Sequence, residues 1–423
     1  MFKFDMILDF DDYNDIALLK QTKYTKLTIG SRKSKSSQKY IFKTFNFICG
    51  SSKWQKIILE TFYQINSLKC QYLQCYNSIS FVSTKSTFQP TFSMKFISSN
   101  TLEHIIRSPN FPNEWKINDA LRCLFSVAEG LSYLHQKLIY HGNLCPSNIV
   151  VDIAKQCYLC DFYLYPIKKL YINNVDICNK DYRDPSIGQN DPSFKNDVYS
   201  FGVLMCDLYL SIFKQNPNES LYEFVTKNDP NKFDKFHPFF KDLIPKCLLS
   251  SPENRPTFVQ ILSAFEKGSD GIDQLYKKFK ETNYIVNLAK RNDPFALNKL
   301  GEMYENGKVF TKDHKKAFIC YEKAAMQNNT EAQSNLGVLL QETEEKSQEN
   351  LIKGANFLKQ SADRGNIHGM ANYGIALKNG DGVEKNIDLA KKYLKKSADL
   401  GLAYAQVNYG FILLESEKSI NNV

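Results

Sequence analysis

Apolar positions near the middle of the chain form two short runs separated by polar residues. The first run is Ile149 to Val151 and the second is Cys157 to Cys160. Short apolar runs on either side of a polar turn predict two β-strands joined as a hairpin. Because a hairpin returns its ends to the same place, Asn148 and Asp161 should lie close together.

Two further segments have the period of an amphipathic helix. In Ala120 to Gln136 and in Ile272 to Lys290, apolar residues recur three and four positions apart, which predicts helices. The stretch Lys267 to Gly271 contains two glycines and is typical of a linker. Residues 267–290 are therefore predicted to be a linker followed by a bridging helix.

After this helix the chain repeats itself. Similar six-residue segments end in glycine at intervals of 36, 37 and 36 residues, at positions Gly301, Gly337, Gly374 and Gly410. A period of this size predicts stacked helical hairpins, each burying its apolar face against the next. Residues 291–423 should form an all-α solenoid of three complete units and a fourth that stops after its first helix.

Composition argues against a membrane-spanning or a secreted protein. The 423 residues are enough for two or three domains, and no apolar run approaches the roughly 18 residues of a membrane span. Met1 to Asp15 is acidic, whereas a secretory leader begins basic and continues apolar. Eleven cysteines without framework spacing favour reduced thiols, and hence a cytoplasmic or nuclear location. Cys157 and Cys160 have no second pair nearby, so strand residues are favoured over a zinc or redox site.

The net charge of +9 is concentrated in one region. Between Ile16 and Leu102 the only acid is Glu60, while lysines and arginines recur throughout. A solvated basic face explains this pattern most simply, and attraction to an acidic surface is the alternative. No nucleic-acid motif accompanies the charge, so no specific nucleic-acid partner is expected.

The residues around the hairpin carry the candidate chemistry. His141 to Val151 reads HGNLCPSNIVV, and Asp161 to Tyr163 reads DFY. This arrangement resembles the catalytic floor of the protein kinases, H-R-D-L-x-x-x-N followed by D-F-G. The resemblance makes Asn148 and Asp161 the magnesium ligands and puts Asn143 where the catalytic Asp would accept a proton. An amide cannot take up that proton at neutral pH, so proton transfer should be impaired.

The same resemblance implies an ATP site in the preceding small lobe. The strand ending in Lys43 is similar to the V-A-I-K strand, and Glu60 on the following helix is the candidate partner of that lysine, or else a surface glutamate. Met94 takes the gatekeeper position on the hinge strand. Gly30 to Lys35 resembles the glycine-rich loop after the first strand, but only Gly30 of its three glycines remains.

Several loop positions depart from the family pattern. Gly142 replaces the loop arginine that in the family binds a phosphorylated residue. Accordingly, Leu164 to Pro185 contains no Ser or Thr that could be phosphorylated. Cys145 replaces the loop lysine that neutralises the transferring phosphate. Tyr163 replaces the glycine that lets the D-F-G segment bend.

The features kept from the family are mostly scaffold. Asp197 matches the buried helix aspartate that supports the catalytic loop, and Arg255 matches the arginine of the closing helix pair. Asp184 to Ser186 stands where A-P-E is expected, so Arg255 should lack its usual glutamate partner.

The fold implied for residues 11–266 is the α+β bilobal protein kinase-like fold, with degraded motifs that indicate a pseudokinase. The following all-α solenoid resembles the Sel-one-like repeats, relatives of the tetratricopeptide family, with loops such as Asn379 to Val383 between paired helices. Repeats of this kind imply protein or peptide partners, or else packing back on the first domain.

The leading functional hypothesis is a catalytically impaired kinase-like scaffold that binds proteins through its repeats. Binding of ATP with Mg²⁺ is left open in this hypothesis. The alternative is a weakly active Ser/Thr-type kinase, because phosphoryl transfer depends largely on positioning and electrostatics. Recruitment to anionic surfaces by the basic small lobe is the third reading, and it implies steep salt dependence.

Overall fold

The structure is a computed structural model, and its description covers most of the chain. The chain consists of two compact units, Met1–Phe279 and Lys280–Val423. Residues 1–12 of the acidic N-terminal stretch, most of Leu164 to Pro185 and residues 421–423 lie outside the described residues. The described ranges are 13–21, 25–33, 35–45, 52–84, 87–98, 100–152, 155–164, 166–167, 180–186, 193–213, 220–227, 229, 231–234, 236–268, 271–307, 309–310, 312–342 and 347–420.

The first unit begins with a five-stranded antiparallel sheet and one helix. The strands, in sheet order β1-β2-β3-β5-β4, are β1 (Tyr13–Gln21), β2 (Thr25–Arg32), β3 (Lys35–Phe45), β4 (Ser78–Thr84) and β5 (Thr87–Lys95). Helix α1 (Ser52–Asn66) buries Ile58, Phe62 and Ile65, which share one face because they are four and three residues apart. Phe62 meets Phe92 of β5, with ring centroids 5.7 Å apart.

Helices form the rest of this unit, around a short hairpin. They are α2 (Leu102–Ile106), α3 (Phe111–Glu114), α4 (Ile117–Gln136), α5 (Phe194–Ile212), α6 (Leu221–Thr226), α7 (Pro238–Cys247), α8 (Phe258–Glu266) and α9 (Ile272–Lys290). Helix α4 contains the predicted segment, and buried residues occupy most of its length. The first half of α9 buries Ile272, Tyr276 and Phe279 in this core. A β-rich lobe followed by a helical lobe confirms the predicted bilobal class.

Arg255 lacks the usual glutamate partner, as expected, but it has another buried carboxylate partner. Asp184 forms an ion pair with Nη1 of Arg255, and the two side chains are 1% and 0% exposed. The guanidinium also donates to the backbone carbonyls of Leu249, at 2.7 Å, and Lys195, at 3.1 Å. The acid therefore stands at the first position of the Asp184 to Ser186 tripeptide instead of the third, and the buried pair is kept.

The second unit is a run of antiparallel helix pairs. Its helices after the second half of α9 are α10 (Pro294–Asn306), α11 (His314–Ala325), α12 (Thr330–Glu342), α13 (Gln348–Asp363), α14 (Ile367–Asn379), α15 (Ile387–Asp399) and α16 (Ala403–Ile420). Three pairs and one further helix agree with the predicted solenoid. Among the described residues, no helix combines the length and the apolar character that crossing a membrane requires.

The recurring glycines mark where the two helices of a pair touch. A Cβ built on Gly301 would lie 2.5 Å from the ring of Tyr321, and one on Gly337 would lie 2.6 Å from Cγ of Leu358. Gly374 faces Leu394 in the same way, at 2.8 Å. A side chain at these positions would push the second helix away, so the sequence period reflects close helix packing. Apart from the neighbouring backbone of its own helix, no atom of the described residues lies within 4 Å of a Cβ built on Gly410.

This difference between equivalent glycines gives a matched test. Gly337→Ala should lower the free energy of unfolding by about 1–3 kcal/mol, because the added methyl group overpacks the contact with Leu358. Gly410→Ala should cause no loss and a gain of up to about 1 kcal/mol, because alanine favours the helix. Urea unfolding of both variants measures the difference, and equal losses would contradict the packing role.

A second test concerns the displaced acid. Asp184→Ala should cost about 3–5 kcal/mol of unfolding free energy, because the guanidinium of Arg255 stays buried without an anion. Adding Ser186→Glu to that variant returns the acid to its family position and should recover part of the loss. Asp242→Ala, which removes an exposed carboxylate paired with Lys246, is the control and should cost less than about 1 kcal/mol. A loss no larger than that of the control would refute the role of Asp184.

Candidate functional site

The hairpin at the centre of the site forms as predicted. Strand β6 (Ile149–Val151) pairs antiparallel with β7 (Cys157–Leu159), and Cys157 and Cys160 lie on β7 and just after it. The backbone N–H of Cys160 donates to the carbonyl of Asn148 at 2.9 Å. The two ends of the hairpin, and with them Asn148 and Asp161, are thereby brought side by side.

The loop before the hairpin is fixed by one buried carboxylate. Asp197, near the start of α5 and 1% exposed, accepts hydrogen bonds from the backbone N–H groups of His141, at 2.7 Å, and Gly142, at 2.9 Å. Nε2 of His135, in the last turn of α4, lies 2.9 Å from the same carboxylate. Gly142 has φ of +71°, a conformation that glycine adopts without strain. Asp197 thus holds the loop as the family resemblance implies.

Asn143 occupies this loop without an acid to replace the missing one. Its N–H donates to Nδ1 of His141 at 3.3 Å, and its carbonyl accepts a hydrogen bond from Nδ2 of Asn148 at 2.8 Å. No Asp or Glu occurs from His141 to Asn148. The loop therefore has a defined conformation but carries no carboxylate that could take up a substrate proton.

Asp161 receives contacts from two side chains of the small lobe. Lys43 of β3, 5% exposed, places its Nζ against Oδ2 of Asp161 in an ion pair. The hydroxyl of Tyr76 donates to Oδ1 at 3.1 Å. Burial, reinforced by the neighbouring Asp161 carboxylate, raises the pKa of Tyr76 well above its ordinary value. Tyr76 therefore keeps its proton and remains a donor to Asp161.

Met94 lies on β5 beside the lysine strand. Its Cα pairs with that of Ile41 in β3, and its side chain is 5% exposed. This strand leads directly into the connection between the two lobes. The placement is compatible with the gatekeeper position, and a role in binding nucleotide stays a prediction.

Glu60 does not pair with Lys43, which corrects one of the two readings of that residue. The side chain of Glu60 is 63% exposed and lies 3.9 Å from Nζ of Lys56, one turn earlier on α1. The buried face of α1 runs through Ile58 and Phe62, and Glu60 lies between these positions on the opposite side of the helix. The register of the helix therefore directs this carboxylate to solvent.

Gly30 also lies elsewhere than predicted. It is within β2, paired with Tyr40 of β3, so Gly30 to Lys35 joins the second and third strands and not the first and second. A Cβ at Gly30 would lie 3.1 Å from the carbonyl oxygen of Asn14 and 3.2 Å from the ring of Phe42. Packing against β1 and this ring explains the glycine. The connection between the first and second strands, residues 22–24, lies outside the described residues.

Two further substitutions, Tyr163 and Cys145, distinguish this site from the family pattern. Tyr163 has φ of +55°, so a tyrosine holds the left-handed conformation that the family's glycine adopts freely, at a cost of order 1 kcal/mol. Burial raises the pKa of the Cys145 thiol. A neutral thiol at this position supplies none of the positive charge of the lysine that it replaces.

Sequence reasoning missed Tyr76 and Asp184. Asp184 could have been found by asking which acid near the A-P-E position remained available to Arg255. Tyr76 has no comparable signal, because it belongs to an aromatic-rich stretch whose fold depends on distant strands. Its position is set by hydrogen bonds between Leu159 and the backbone of Tyr72 and Gln74, each 2.8 Å long.

Comparison with protein families agrees with this geometry. Residues 16–265, more than half of the chain, match the family model described as protein tyrosine and serine/threonine kinase. Residues 294–329, 330–366 and 367–402 each match the Sel1 repeat. These matches follow the bilobal unit and the three helix pairs.

Individual relatives are distant, and each is matched over part of its length. The chain is 28% identical over 185 residues to the probable serine/threonine-protein kinase SIS8 of Arabidopsis thaliana, which is 41% of this chain and 18% of that protein. It is 26% identical over 183 residues to a probable serine/threonine-protein kinase of Dictyostelium discoideum, covering 41% of this chain and 42% of the relative. The mast/stem cell growth factor receptor Kit of Gallus gallus is 28% identical over 178 residues, covering 38% and 18%. The chain spans less than half the length of these curated relatives.

Proposed function

The chain belongs to the protein tyrosine and serine/threonine kinase family and continues into three Sel1 repeats, and from this we propose that it is a catalytically impaired kinase-like scaffold. In this proposal the kinase-like unit no longer transfers phosphate efficiently. The Sel1 repeats, which generally mediate protein–protein interaction, hold protein or peptide partners. Because the sequence identities to the curated relatives are low, the activity of the whole protein is part of what we propose.

The observation that carries the proposal is an ordered catalytic loop without a general base. Asp197 fixes the backbone N–H groups of His141 and Gly142. The side-chain amide of Asn148 fixes the backbone carbonyl of Asn143. An asparagine whose backbone is held by hydrogen bonds therefore occupies the position of the missing acid. General base catalysis typically contributes 10²–10⁴-fold to a rate, so its loss together with the Cys145 substitution should reduce transfer severely.

A row of asparagines on the first helices of the repeats supports the protein-binding role. Nδ2 of Asn335 donates to Oδ1 of Asn298 at 3.1 Å, and Nδ2 of Asn372 donates to Oγ of Ser334 at 3.2 Å. Asn335, Asn372 and the equivalent Asn408 are half-buried. A side-chain amide has two N–H donors and two acceptor lone pairs. Oδ1 of Asn372 also accepts from the hydroxyl of Tyr404 at 3.1 Å, and Nδ2 of Asn408 donates to the carbonyl of Tyr404 at 2.8 Å. The donors and acceptors of the row that these contacts leave over could bind the backbone of a partner.

The second candidate is a weakly active serine/threonine kinase, favoured by the assembly of Lys43 and Asp161. In this reading Lys43 would contact the phosphates of ATP, while the oxygens of Asp161 and Asn148 would hold Mg²⁺, a cation that prefers oxygen ligands. The Asp161 side chain is 21% exposed, so a ligand can reach it. Asn143 would then orient the substrate hydroxyl without accepting its proton.

In this proposal the basic small lobe is a secondary binding surface for acidic partners. Lys20, Lys26 and Lys39 are exposed on its strands, so an acidic surface could bind there, and the contact should weaken steeply with salt. A cytoplasmic or nuclear location is supported by the described cysteines, which are all free thiols.

Phosphotransfer separates the two candidate functions. The wild-type chain, incubated with labelled ATP, magnesium and a general protein substrate, should transfer no more label than the Lys43→Met variant. Transfer clearly above that background would overturn the scaffold proposal in favour of a weak kinase. Asn143→Asp then locates the defect, because restored transfer assigns it to the missing base.

Partner capture tests the repeat surface. The double substitution Asn335→Ala with Asn372→Ala should remove proteins that cross-link to the wild-type chain in cell extract, because two hydrogen-bonding amides are lost. Asn356→Ala is the control, since Asn356 is exposed on α13, a second helix of the repeats. Mass spectrometry identifies the cross-linked proteins. An unchanged set with the double variant would remove this surface from the proposal.

A further inference from the structure

One side of helix α16 exposes a stripe of large apolar side chains. Val407, Phe411 and Leu414 are 57%, 54% and 55% exposed, and their spacing of four and three residues places them on the same side of the helix. The other side of α16 packs on the preceding helices through the buried residues Ala405 and Ile412. Among the described residues, therefore, α16 is covered on one side and open to solvent on the other.

The same positions are covered in the earlier repeats. By the glycine period, the residues equivalent to Val407 are Asn298, Ser334 and Ala371, and each is no more than 3% exposed. The glycines equivalent to Gly410 each receive a large side chain from the following helix, and these side chains are Tyr321, Leu358 and Leu394. The open side of α16 therefore has room for a helix that places a large side chain over Gly410.

This side of α16 is also more apolar than its equivalents. At the position of Leu414, the first helices of the earlier repeats carry Glu305, Gln341 and Lys378. From Ala403 to Leu414 the chain has no charged residue. Solenoid surfaces that face water are usually kept polar, and contiguous exposed apolar residues mark protein contacts. The residue types therefore indicate that another apolar surface covers this side of the helix.

The stripe is complementary to a second copy of itself. If two α16 helices run antiparallel about a two-fold axis between Gly410 and Phe411, Phe411 of each copy lies over Gly410 of the other. The same axis sets Val407 opposite Leu414 of the second copy, because these two positions are equally far from it. Lys378, whose Nζ lies 6.0 Å from the ring centroid of Phe411, would stay at the rim. A large side chain over a glycine repeats the contact found within each complete repeat.

We propose that the chain forms a two-fold symmetric dimer through this side of α16. One helix from each copy makes a small interface, below about 1,200 Å² in total, so the dissociation constant should be on the order of 10 µM. The dimer goes beyond the scaffold proposal and depends neither on phosphate transfer nor on the asparagine row. It would bring two sets of repeats together, so a partner with two binding segments would be held more tightly than by one copy.

Sedimentation velocity of the full chain between about 1 and 200 µM, a range that brackets this dissociation constant, tests the dimer. The wild type should pass from one copy to two as its concentration rises. Val407→Glu and Leu414→Lys should each weaken association at least about tenfold, because each places a charge without a partner in an apolar contact. Ile319→Glu is the matched control, since Ile319 is an apolar residue of α11 that is 48% exposed, and it should associate as the wild type does.

A mixture of the two variants tests the antiparallel register. When one chain carries Val407→Glu and the other Leu414→Lys, the new carboxylate lies opposite the new ammonium group, and the second pair of positions remains apolar. An equimolar mixture should therefore associate at least about tenfold more tightly than either variant alone. Thermal unfolding of each variant verifies that it is folded, which is expected because both positions are exposed in the single copy.

Gly410→Ala should also weaken the dimer, because its methyl group would meet Phe411 of the second copy. Its expected gain in unfolding free energy is that of the single copy, measured below the dissociation constant. Three results would overturn the inference. They are a wild type that stays a single copy at every concentration, which would leave the apolar stripe to a different protein, variants at positions 407 and 414 that associate as the wild type does, and a mixture that associates no better than its components.

Discussion

The buried carboxylate of Asp197 is the contact on which the site depends. It accepts two backbone N–H groups of the loop, from His141 and Gly142, and it lies beside the imidazole of His135. A carboxylate that is 1% exposed is costly to bury unless such donors surround it. The loop, α4 and α5 are therefore fixed relative to one another by a group that takes no part in phosphate transfer.

This anchoring explains how the loop can keep its conformation where its residue types differ from the family pattern. Asp197 binds backbone groups, so the residue types at positions 142 and 143 can change without loss of the hydrogen bonds. Asn143 and Asn148 are joined through a side-chain amide and a backbone carbonyl, a contact that needs no acid at 143. The conformation of the loop and its capacity for proton transfer are thus physically separate properties.

The features that were predicted best are those that depend on residues close together in the sequence. The hairpin around Asn148 and Asp161 and the glycine period from Gly301 to Gly374 are local patterns, and each repeat packs mainly on the next. The Glu60 and Gly30 assignments failed because they depended on the register of one helix and the count of strands. Tyr76 was not predictable, since its contact with Asp161 joins residues 85 positions apart through intervening strands.

Three carboxylates of the kinase-like unit have a structural role. Asp197 holds the loop, Asp184 neutralises Arg255, and Asp161 neutralises Lys43. Removing any one of them would leave a buried cation or buried N–H groups without a partner, which costs several kcal/mol. Asn143 stands where the family carries the carboxylate of proton transfer, and its contacts in the loop are made by its backbone N–H and carbonyl, which need no acid. These three acids are therefore needed for folding whether or not the chain transfers phosphate, and the residue that bears on the choice between scaffold and kinase is Asn143.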